Sequence, residues 1–294
     1  MINPRGIILL DKPLGMFSRT AGGRVARMFG TKTFGHIGTL DEMASGVLPI
    51  AIGGATKMIP FIEDVRPNVK EYMFTVQFGT ETDTLDTRGR ITRRADKIPS
   101  RNEIDAILPK LTGDVLQTPP IFSAVHVAGC RAYELARRAD GARIEIAPRC
   151  VHLDTLEIID GAGDTYTFRT RCSRGTYVRA IARDMAYMCD TVATVKMIRR
   201  TESLGFTLSD TVQLDFLENL FNNGGDIRKY LKSPDYGLGD IPVCDLDDKS
   251  AELYKHGGFI KTGGADGLRR VYCGSEFIGI GNIADGILHP KRTI

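Results

Sequence analysis

The sequence predicts a mixed α/β fold of the α+β type, because strands and helices follow one another without a regular βαβ rhythm. Two kinds of pattern support this prediction. Residues 71–78 and 165–172 alternate between apolar and polar side chains, as half-buried strands do. Residues 101–111 instead repeat their apolar side chains at helical spacing and therefore predict an amphipathic helix.

The remaining elements can be placed along the chain from the same patterns. In order, they predict a buried strand at 7–10, a helix from Ser18 as its N-cap to about 28, a glycine-rich loop at 30–46, a helix from about 176 to 188 and a strand at 194–200. Residues 118–148 are basic and interrupt this order, so they are interpreted as an insertion. A linker near residue 235 predicts two domains, 1–234 and a β-rich tail at 235–294.

Length and composition limit the class of protein. The chain has 294 residues, of which 42% are hydrophobic and 26% charged, with a net charge of +3, which excludes disorder as the main state. No apolar run approaches the roughly 20 residues of a membrane span, and the first residues lack signal-peptide features, so we expect a cytoplasmic protein with no membrane partner. No two cysteines lie closer than Cys172 and Cys189, which predicts free core thiols and no zinc site.

The charge is distributed unevenly along the chain. Residues 1–234 carry 32 basic and 27 acidic side chains, whereas residues 235–294 carry 7 and 9. Arginine outnumbers lysine by 26 to 13, and the planar guanidinium suits two-point contact with phosphate. The excess therefore fits an RNA or another phosphate-bearing partner, although a GC-rich genome would produce the same excess.

Several common catalytic motifs are absent from the sequence. It contains no GxGxxG or GxxxxGK[ST] nucleotide-binding motif and no HExxH or GxSxG motif. The histidines are scattered. We therefore expect the chemistry to come from carboxylates, arginines and tyrosines, with no metal and no cofactor.

The densest group of unusual residues is GHIGTLDEMASG at 35–46. Glycines let the backbone approach a ligand closely, and loops on a rigid scaffold often carry binding and catalytic residues. Taken alone, Asp41 has two interpretations in this loop. It is either a catalytic carboxylate or a residue that braces a turn, a role for which aspartate is favoured.

This segment resembles the GHxGxLDxxAxG signature of the TruB family, the tRNA pseudouridine-55 synthases. Four further segments resemble family motifs, in the family's order: LLDKPLGMFS at 9–18, KEY at 70–72 with GTETDTLDTRG at 79–89, PPIFSA at 119–124 with RAYELAR at 131–137, and CSRGTYVR at 172–179. Five ordered motifs over about residues 6–210 make a far more specific resemblance than one glycine pattern would.

The resemblance implies both a fold and a reaction. The fold is a pseudouridine synthase fold, with a central mixed, mostly antiparallel sheet, a thumb insertion at about 118–148 and a small C-terminal PUA-like β-barrel domain. The reaction isomerises uridine 55 in the T arm of tRNA: the N-glycosidic bond breaks, the uracil turns, and it rejoins the ribose through C5 without a cofactor. The implied partner is tRNA, bound through its T arm and at its acceptor end by the tail, and we expect a monomer.

Three residues match catalytic positions of the family. Asp41 is the implied catalytic aspartate, which attacks C1′ or C6 or removes a proton from C2′, and the residues do not distinguish these roles. Arg179 is expected to pair with Asp41 and keep it ionised, its alternative being an exposed helix arginine. Tyr72 is expected to stack on the uracil with its hydroxyl near the C5 proton, its alternative being core packing.

Substrate binding is implied for Tyr72 and for three further residues, His36, Tyr177 and Ile198. His36 matches the histidine that assists extrusion of the stacked uridine, and its alternative is a structural loop residue. Tyr177 and Ile198 match the uracil pocket, where isoleucine replaces the common leucine with little expected effect. Other arginines are expected either to contact RNA phosphates or to form a solvated surface: Arg131, Arg137, Arg138, Arg143, Arg169, Arg171, Arg174, Arg199 and Arg200.

The sequence departs from the family pattern at a few positions. Glu42 replaces the usual proline and adds a negative charge beside Asp41, while His126 and Cys130 replace basic residues of the insertion and predict weaker RNA contact there. Three other functions remain open: an RNA-guided pseudouridine synthase, a non-catalytic tRNA chaperone, and a glycosidase. The glycosidase is disfavoured because Asp41 and Glu42 are adjacent rather than facing each other across a substrate.

Overall fold

The computed structural model describes residues 4–127, 129–138 and 145–294. Its strands are β1 (Gly6–Lys12), β2 (Phe34–His36), β3 (Ala44–Ile52), β4 (Val69–Phe78), β5 (Thr80–Thr82), β6 (Ile91–Arg94), β7 (Gly113–Gln117), β8 (His126–Val127), β9 (Cys130–Arg131), β10 (Arg149–Ala162), β11 (Thr165–Ser173), β12 (Ala193–Ser203), β13 (Phe206–Thr207), β14 (Val212–Gln213), β15 (Val243–Leu246), β16 (Ile260–Lys261), β17 (Gly267–Cys273), β18 (Glu276–Ala284) and β19 (Ile287–Thr293). Its α-helices are α1 (Ser18–Met28), α2 (Ile59–Val65), α3 (Arg101–Ile107), α4 (Ala132–Arg138), α5 (Val178–Met188), α6 (Leu214–Asn222) and α7 (Asp248–Lys255).

The described residues form two compact units. The first comprises those within Met1–Asp41, Val47–Pro67 and Leu208–Ile294, and the second comprises those within Glu42–Gly46 and Asn68–Thr207. Strand β3 therefore contributes its first three residues to the second unit and the others to the first.

In the first unit, neighbouring strands follow the order β14-β1-β3, and β2 pairs with β3. The predicted strand at 7–10 is confirmed within β1, where all four residues are at most 2% exposed. A run that is apolar at every position can be buried on both faces of a sheet, which explains why it lacks alternation.

Helix α1 spans the predicted residues, but its predicted cap is wrong. The N-cap residue is Phe17, and Ser18 is the first residue of the helix. The Ser18 hydroxyl bonds to the backbone of Leu40 instead of to its own helix. Serine serves as a helix cap only when a nearby backbone N–H is its best partner, and here a distant loop supplies better partners.

The tail of the chain forms a sheet of its own, in the order β15-β17-β18-β19-β16. Strands β15 and β17 run parallel, and the other neighbours are antiparallel. Its core includes Tyr254 of α7, together with Val271 and Ile278, all fully buried. Burial of these apolar side chains supplies most of the stabilisation of such a small sheet.

The second unit is built on a mixed, mostly antiparallel sheet. The start of β3 pairs in parallel with β12, and β12-β4-β11-β10-β7 continue antiparallel. Both predicted alternating strands are confirmed: Tyr72, Phe74, Val76 and Phe78 of β4 are buried, as are the alternate residues of β11. Helix α5 packs on β12 and β4, and α3 packs on β10.

The predicted insertion begins where β7 ends. Its described part contains the short β8–β9 hairpin and helix α4. Arg131 is exposed, as expected for a residue that contacts RNA. Arg143 lies outside the described residues, and so do the side chains of Arg137 and Arg138.

The fold-class prediction is confirmed by these elements, while the cysteine prediction is only partly right. All six thiols are free, but Cys150 is exposed, and only Cys172 and Cys189 are buried. Burial raises the pKa of the Cys172 thiol to about 11, so it remains a neutral core group. Within the described ranges, no helix is both long and apolar enough to cross a membrane.

Candidate active site

The predicted catalytic residues are distributed over the two units. His36 and Asp41 belong to the first unit, while Tyr72, Tyr177, Arg179 and Ile198 belong to the second. Each group has a definite local geometry that follows from the elements that carry it.

Asp41 follows directly after an anchored residue. The Ser18 Oγ donates to the carbonyl of Leu40 at 2.8 Å and accepts from its N–H at 2.9 Å. Ser18 and Leu40 are buried, whereas Asp41 is half-buried. One hydroxyl thus satisfies both backbone groups of the preceding residue and fixes the point from which Asp41 projects.

His36 ends strand β2, whose pairing with β3 places it opposite Ile50. Its Nε2 lies 3.1 Å from the Oγ1 of Thr39, and the ring is half-buried. The two residues are close because the chain turns at Gly38, whose φ of +70° suits glycine. The ring is therefore oriented by the loop but still reaches the surface.

Tyr72 and Ile198 lie on neighbouring strands of the second unit. Tyr72 of β4 is opposite Arg200 of β12, and Ile198 is opposite Phe74. Tyr72 is 6% exposed and Ile198 3%. Tyr72 therefore packs in the core beside Phe74, as its alternative interpretation requires. Its hydroxyl also hydrogen-bonds to the guanidinium of Arg200.

Arg200 was expected at the RNA surface, and the structure contradicts this. Its side chain is fully buried and hydrogen-bonds to Tyr72. Burial lowers the pKa of its guanidinium, and the interaction with Tyr72 acts in the opposite direction. A side chain with no exposed surface cannot contact phosphates, so Arg200 acts on its neighbours inside the protein.

The backbone of Arg200 also explains the last glycine of the 35–46 motif. Gly46 pairs with Arg200 and has a φ of +107°. A Cβ added at Gly46 would collide with the Arg200 carbonyl oxygen. This glycine is therefore required by strand packing and by its left-handed conformation, not by the approach of a ligand.

Arg179, in the first turn of α5, is 4% exposed and strongly bound. Its Nη1 donates to the carbonyl of Thr84 at 2.8 Å, and its Nη2 donates to the carbonyl of Phe122 at 2.9 Å. The Asp86 Oδ2 lies 3.8 Å from Nη1. The alternative interpretation as an exposed arginine is therefore wrong, and a buried cation with several partners has one orientation.

Asp86 forms hydrogen bonds within the loop whose Thr84 carbonyl binds Arg179. It is 5% exposed, and its Oδ1 accepts from the Thr84 hydroxyl at 2.8 Å and from the Arg88 N–H at 3.0 Å. Asp86 is one residue of the 79–89 motif, and the sequence alone predicts no role for it. Its burial beside a buried arginine is the signal that identifies it.

Glu42 is paired within the second unit. Its carboxylate forms an ion pair with Arg88, two residues after Asp86. The negative charge that this departure places beside Asp41 is therefore balanced by a cation from the same loop that holds Arg179. Since the Arg88 side chain is 48% exposed, water screens this pair and its energy is small.

Tyr177 is the N-cap residue of α5 and is half-buried. Its backbone is bound by Gln117, which is 2% exposed. Gln117 was not selected from the sequence, where it appears only as a polar residue before the prolines 119–120. No local pattern indicates a partner 60 residues further along the chain.

Among residues 4–127, 129–138 and 145–294, no three His, Cys, Asp or Glu side chains are arranged to bind an ion. The candidate catalytic and binding residues with polar side chains are His36, Asp41, Tyr72, Tyr177 and Arg179.

Comparison with known proteins places the sequence of the chain in a family. Residues 26–178 match the family model described as TruB family pseudouridylate synthase (N terminal domain), and residues 242–294 match Pseudouridine synthase II TruB, C-terminal. The chain belongs to the TruB family. Its activity is therefore that of a pseudouridine synthase, an isomerase, and the predictions of family and enzyme class are confirmed.

Two curated relatives of this TruB-family chain are both called tRNA pseudouridine synthase B. The protein from Bradyrhizobium diazoefficiens is 39% identical over 298 residues, which cover 98% of this chain and 85% of the relative. The protein from Caulobacter vibrioides is 41% identical over 247 residues, covering 84% and 78%.

Solved structures resemble the fold of the TruB-family chain. A structure titled as a Cbf5-Nop10-Gar1 complex gives a TM-score of 0.67 at 20% identity, with 98% of this chain and 84% of the other covered. An H/ACA RNP bound to a substrate RNA gives 0.66 at 19% identity, with the same coverage. At this identity the likeness supports the fold alone.

Proposed function

We propose that this TruB-family chain isomerises uridine 55 in the T arm of tRNA to pseudouridine, without a cofactor. The observation that carries the proposal is the motif around Asp41 in a chain about two-fifths identical to proteins called tRNA pseudouridine synthase B. The substrate is a cytoplasmic RNA, and we expect the protein to act there as a monomer.

Asp41 is proposed as the catalytic aspartate. Breaking the glycosidic bond leaves an electron-poor ribose, and an ionised carboxylate can attack it, attack C6 of the base, or remove the C2′ proton. Each role needs the carboxylate at a fixed position. The anchoring of Leu40 by Ser18 supports this, because it limits the movement of the residue just before Asp41.

Arg179 is proposed to pair with Asp41 and keep it ionised. Its guanidinium already engages two carbonyls and Asp86, and it has little freedom to move. A rigid cation stabilises a carboxylate without the cost of ordering a side chain at each turnover. Asp86 supports this role by holding the cation in place.

Tyr72 is proposed to contact the uracil and to accept the C5 proton. The hydrogen bond of its hydroxyl to the buried Arg200 supports this, because it fixes the position of the hydroxyl. Tyr177 and Ile198 are proposed to line the uracil pocket. His36 is proposed to support the extruded uridine, and its half-buried ring at the end of β2 suits contact with a flipped nucleotide.

The RNA-binding surface is proposed to include the insertion at about 118–148 and nearby arginines. Arg131, Arg169 and Arg174 are exposed, as contact with backbone phosphates requires. The tail, with a boundary near residue 235, is proposed to meet the acceptor end. Because this tail carries more acidic than basic groups, its contacts would depend on shape as well as charge.

The test is to incubate the purified protein with a T-arm stem-loop RNA that contains one uridine at position 55 and to map pseudouridine. We expect complete conversion without a guide RNA, loss of activity in Asp41→Asn, and tRNA binding within a few-fold of wild type. Formation of pseudouridine by Asp41→Asn would show that Asp41 is not the catalytic aspartate. A requirement for a guide would favour the RNA-guided alternative, and RNA refolding without conversion would favour a chaperone.

A further inference from the structure

Gln117 makes an unusual pair of contacts at the end of strand β7. Its Nε2 donates to the carbonyl of Tyr177 at 3.2 Å, and its Oε1 accepts from the Tyr177 N–H at 2.8 Å. The side chain is 2% exposed. A buried amide that uses one donor and its acceptor on the same residue holds that backbone in one position, much as a strand neighbour would.

The residue held in this way begins helix α5. Tyr177 has extended backbone angles, with φ −106° and ψ 112°, and its side chain does not cap the helix. Its carbonyl also accepts from the N–H groups of Ala180 and Ile181, both at 3.0 Å. Since the first turn of a helix grows from this residue, the position of Tyr177 sets the position of Arg179 two residues later.

The same helix is joined to the next residues after β7. Arg183 donates from Nη2 to the carbonyl of Thr118 at 2.9 Å, and Arg179 donates to the carbonyl of Phe122. Gln117, Thr118 and Phe122 open the segment that leads into the insertion. The start of the insertion and the start of α5 are therefore joined by three side chains. Arg179 and Arg183 of the helix bond to backbone carbonyls of the insertion, and Gln117 bonds to the backbone of Tyr177.

We propose that Gln117 is a positioning residue that fixes Tyr177 and Arg179 relative to the start of the insertion. RNA that binds the insertion would thereby also affect the position of α5, the helix that carries Arg179. This inference rests on the proposed function for the roles of Tyr177 and Arg179. Gln117 itself does not touch the reacting atoms; it acts through the backbone of Tyr177.

The test begins with Gln117→Met, which keeps the length of the side chain and removes both hydrogen bonds. Gln77→Met is the matched control, because Gln77 lies in β4 of the same unit and donates to Asp164 at 2.9 Å. Misplacement of catalytic groups by about 1 Å can cost on the order of 100-fold in rate. We expect at least a roughly tenfold lower single-turnover rate at saturating RNA for Gln117→Met, against less than about twofold for Gln77→Met.

The RNA dissociation constant and the melting temperature are measured beside the rate. We expect the dissociation constant of Gln117→Met to stay within about threefold of wild type, because positioning affects the reaction more than the ground state. A wild-type rate in Gln117→Met would overturn the proposal. So would equal loss of rate in both variants at equal loss of melting temperature, since that would indicate a purely structural role.

Gln117→Glu adds a pH readout. An ionised carboxylate can accept from the Tyr177 N–H but cannot donate to its carbonyl, whereas the protonated acid can do both. Burial favours the protonated form. We expect the rate relative to wild type to rise as the pH is lowered from 8 to 6 in Gln117→Glu and to stay flat in Gln117→Met. A flat profile in both would overturn the proposal.

Amide hydrogen exchange of the free protein separates this inference from the proposed function. We expect residues 174–182 to exchange faster in Gln117→Met than in wild type, and to be unchanged in Gln77→Met. Absence of pseudouridine formation by the wild-type protein would defeat the proposed function, and the exchange data would still decide whether Gln117 holds Tyr177. Unchanged exchange in Gln117→Met would defeat the inference on its own.

Discussion

The Ser18 hydroxyl holds Leu40 by both of its backbone groups, 22 residues away in sequence, with distances of 2.8 and 2.9 Å. Both residues are buried, and Asp41 follows Leu40 directly. The serine that opens helix α1 therefore serves the loop of the proposed catalytic aspartate, and this relationship leads to the first prediction.

Ser18→Ala should lower both stability and activity. Removal of the hydroxyl leaves two buried backbone groups of Leu40 without their partner, which costs about 1–3 kcal/mol. Freer movement of Asp41 should also lower the single-turnover rate by on the order of tenfold. Urea denaturation and single-turnover kinetics on T-arm RNA measure the two effects.

Ser100→Ala is the control for this prediction. Ser100 caps helix α3 through a capping box with Glu103, so its loss should cost about 1 kcal/mol of stability. Its rate should remain at the wild-type value. If Ser18→Ala behaves like Ser100→Ala, with lower stability and normal rate, the hydroxyl does not position Asp41.

Tyr72→Phe should retain the fold and lose most of the activity. The ring still fills its place in β4, but the group proposed to accept the C5 proton is gone. General acid–base groups typically contribute about 10²–10⁴-fold, so we expect at least a hundredfold lower single-turnover rate. Tyr166→Phe, at a buried tyrosine of the neighbouring strand β11, is the matched control and should be near normal.

Asp86→Asn should impair the reaction through Arg179. The amide preserves the size of the side chain but removes the carboxylate charge 3.8 Å from the buried guanidinium. We expect a loss of about 1–3 kcal/mol in stability and a clearly lower rate, because the buried Arg179 guanidinium loses a neighbouring negative charge. Circular dichroism melts and single-turnover kinetics report both.

Asp83→Asn tests whether this effect is specific. Asp83 lies in the same loop and accepts from the Arg90 N–H at 2.9 Å, but the Arg90 side chain is 96% exposed. Exposed ion pairs contribute little, so the change should be within about 0.5 kcal/mol. Equal rate losses in the two variants would show that Asp86 acts through the loop as a whole and not through Arg179.

The pair His152–Asp114 should give a pH-dependent contribution to stability. Nδ1 of His152 lies 2.6 Å from Asp114, and this hydrogen bond raises the pKa of His152 above 6.5. A raised folded pKa means that the stabilisation is fully present below pH 6.5 and is lost as the pH rises through the folded pKa. Asp114→Asn should lower the histidine pKa measured by NMR and weaken this dependence in urea midpoints, with the smaller effect of Asp154 remaining. An unchanged pKa would contradict the assignment.

The strands were the most predictable part of the fold. The alternation of residues 71–78 fixes which side chains of β4 face the core, since a strand turns successive side chains to opposite faces. Every apolar residue assigned to that face is buried. The cap of α1 was predicted wrongly because a serine before a helix has an obvious local partner, and the sequence contains no sign that Leu40 is a better one.

The residues of the proposed site were also predictable only in part. Asp41, Tyr72 and Arg179 could be selected because they lie in segments that resemble family motifs. The contacts of Gln117 and Ser18 could not be predicted, although Ser18 lies in one of these segments, because their partners are 60 and 22 residues away. Arg200 shows the opposite error: a surface role was expected from its charge, whereas pairing opposite Tyr72 places it inside the protein.

The packing of Gly46 against Arg200 limits more than the choice of residue at that position. Leu40 is bound by Ser18 within the first unit and Gly46 pairs with Arg200 within the second, so residues 41–45 lie between two residues that each have a defined partner. A change of length in this segment shifts Asp41 along the chain relative to one of these contacts, whereas a change of side chain does not. Insertion or deletion of a single residue between Leu40 and Gly46 should therefore abolish activity even when every motif letter is retained.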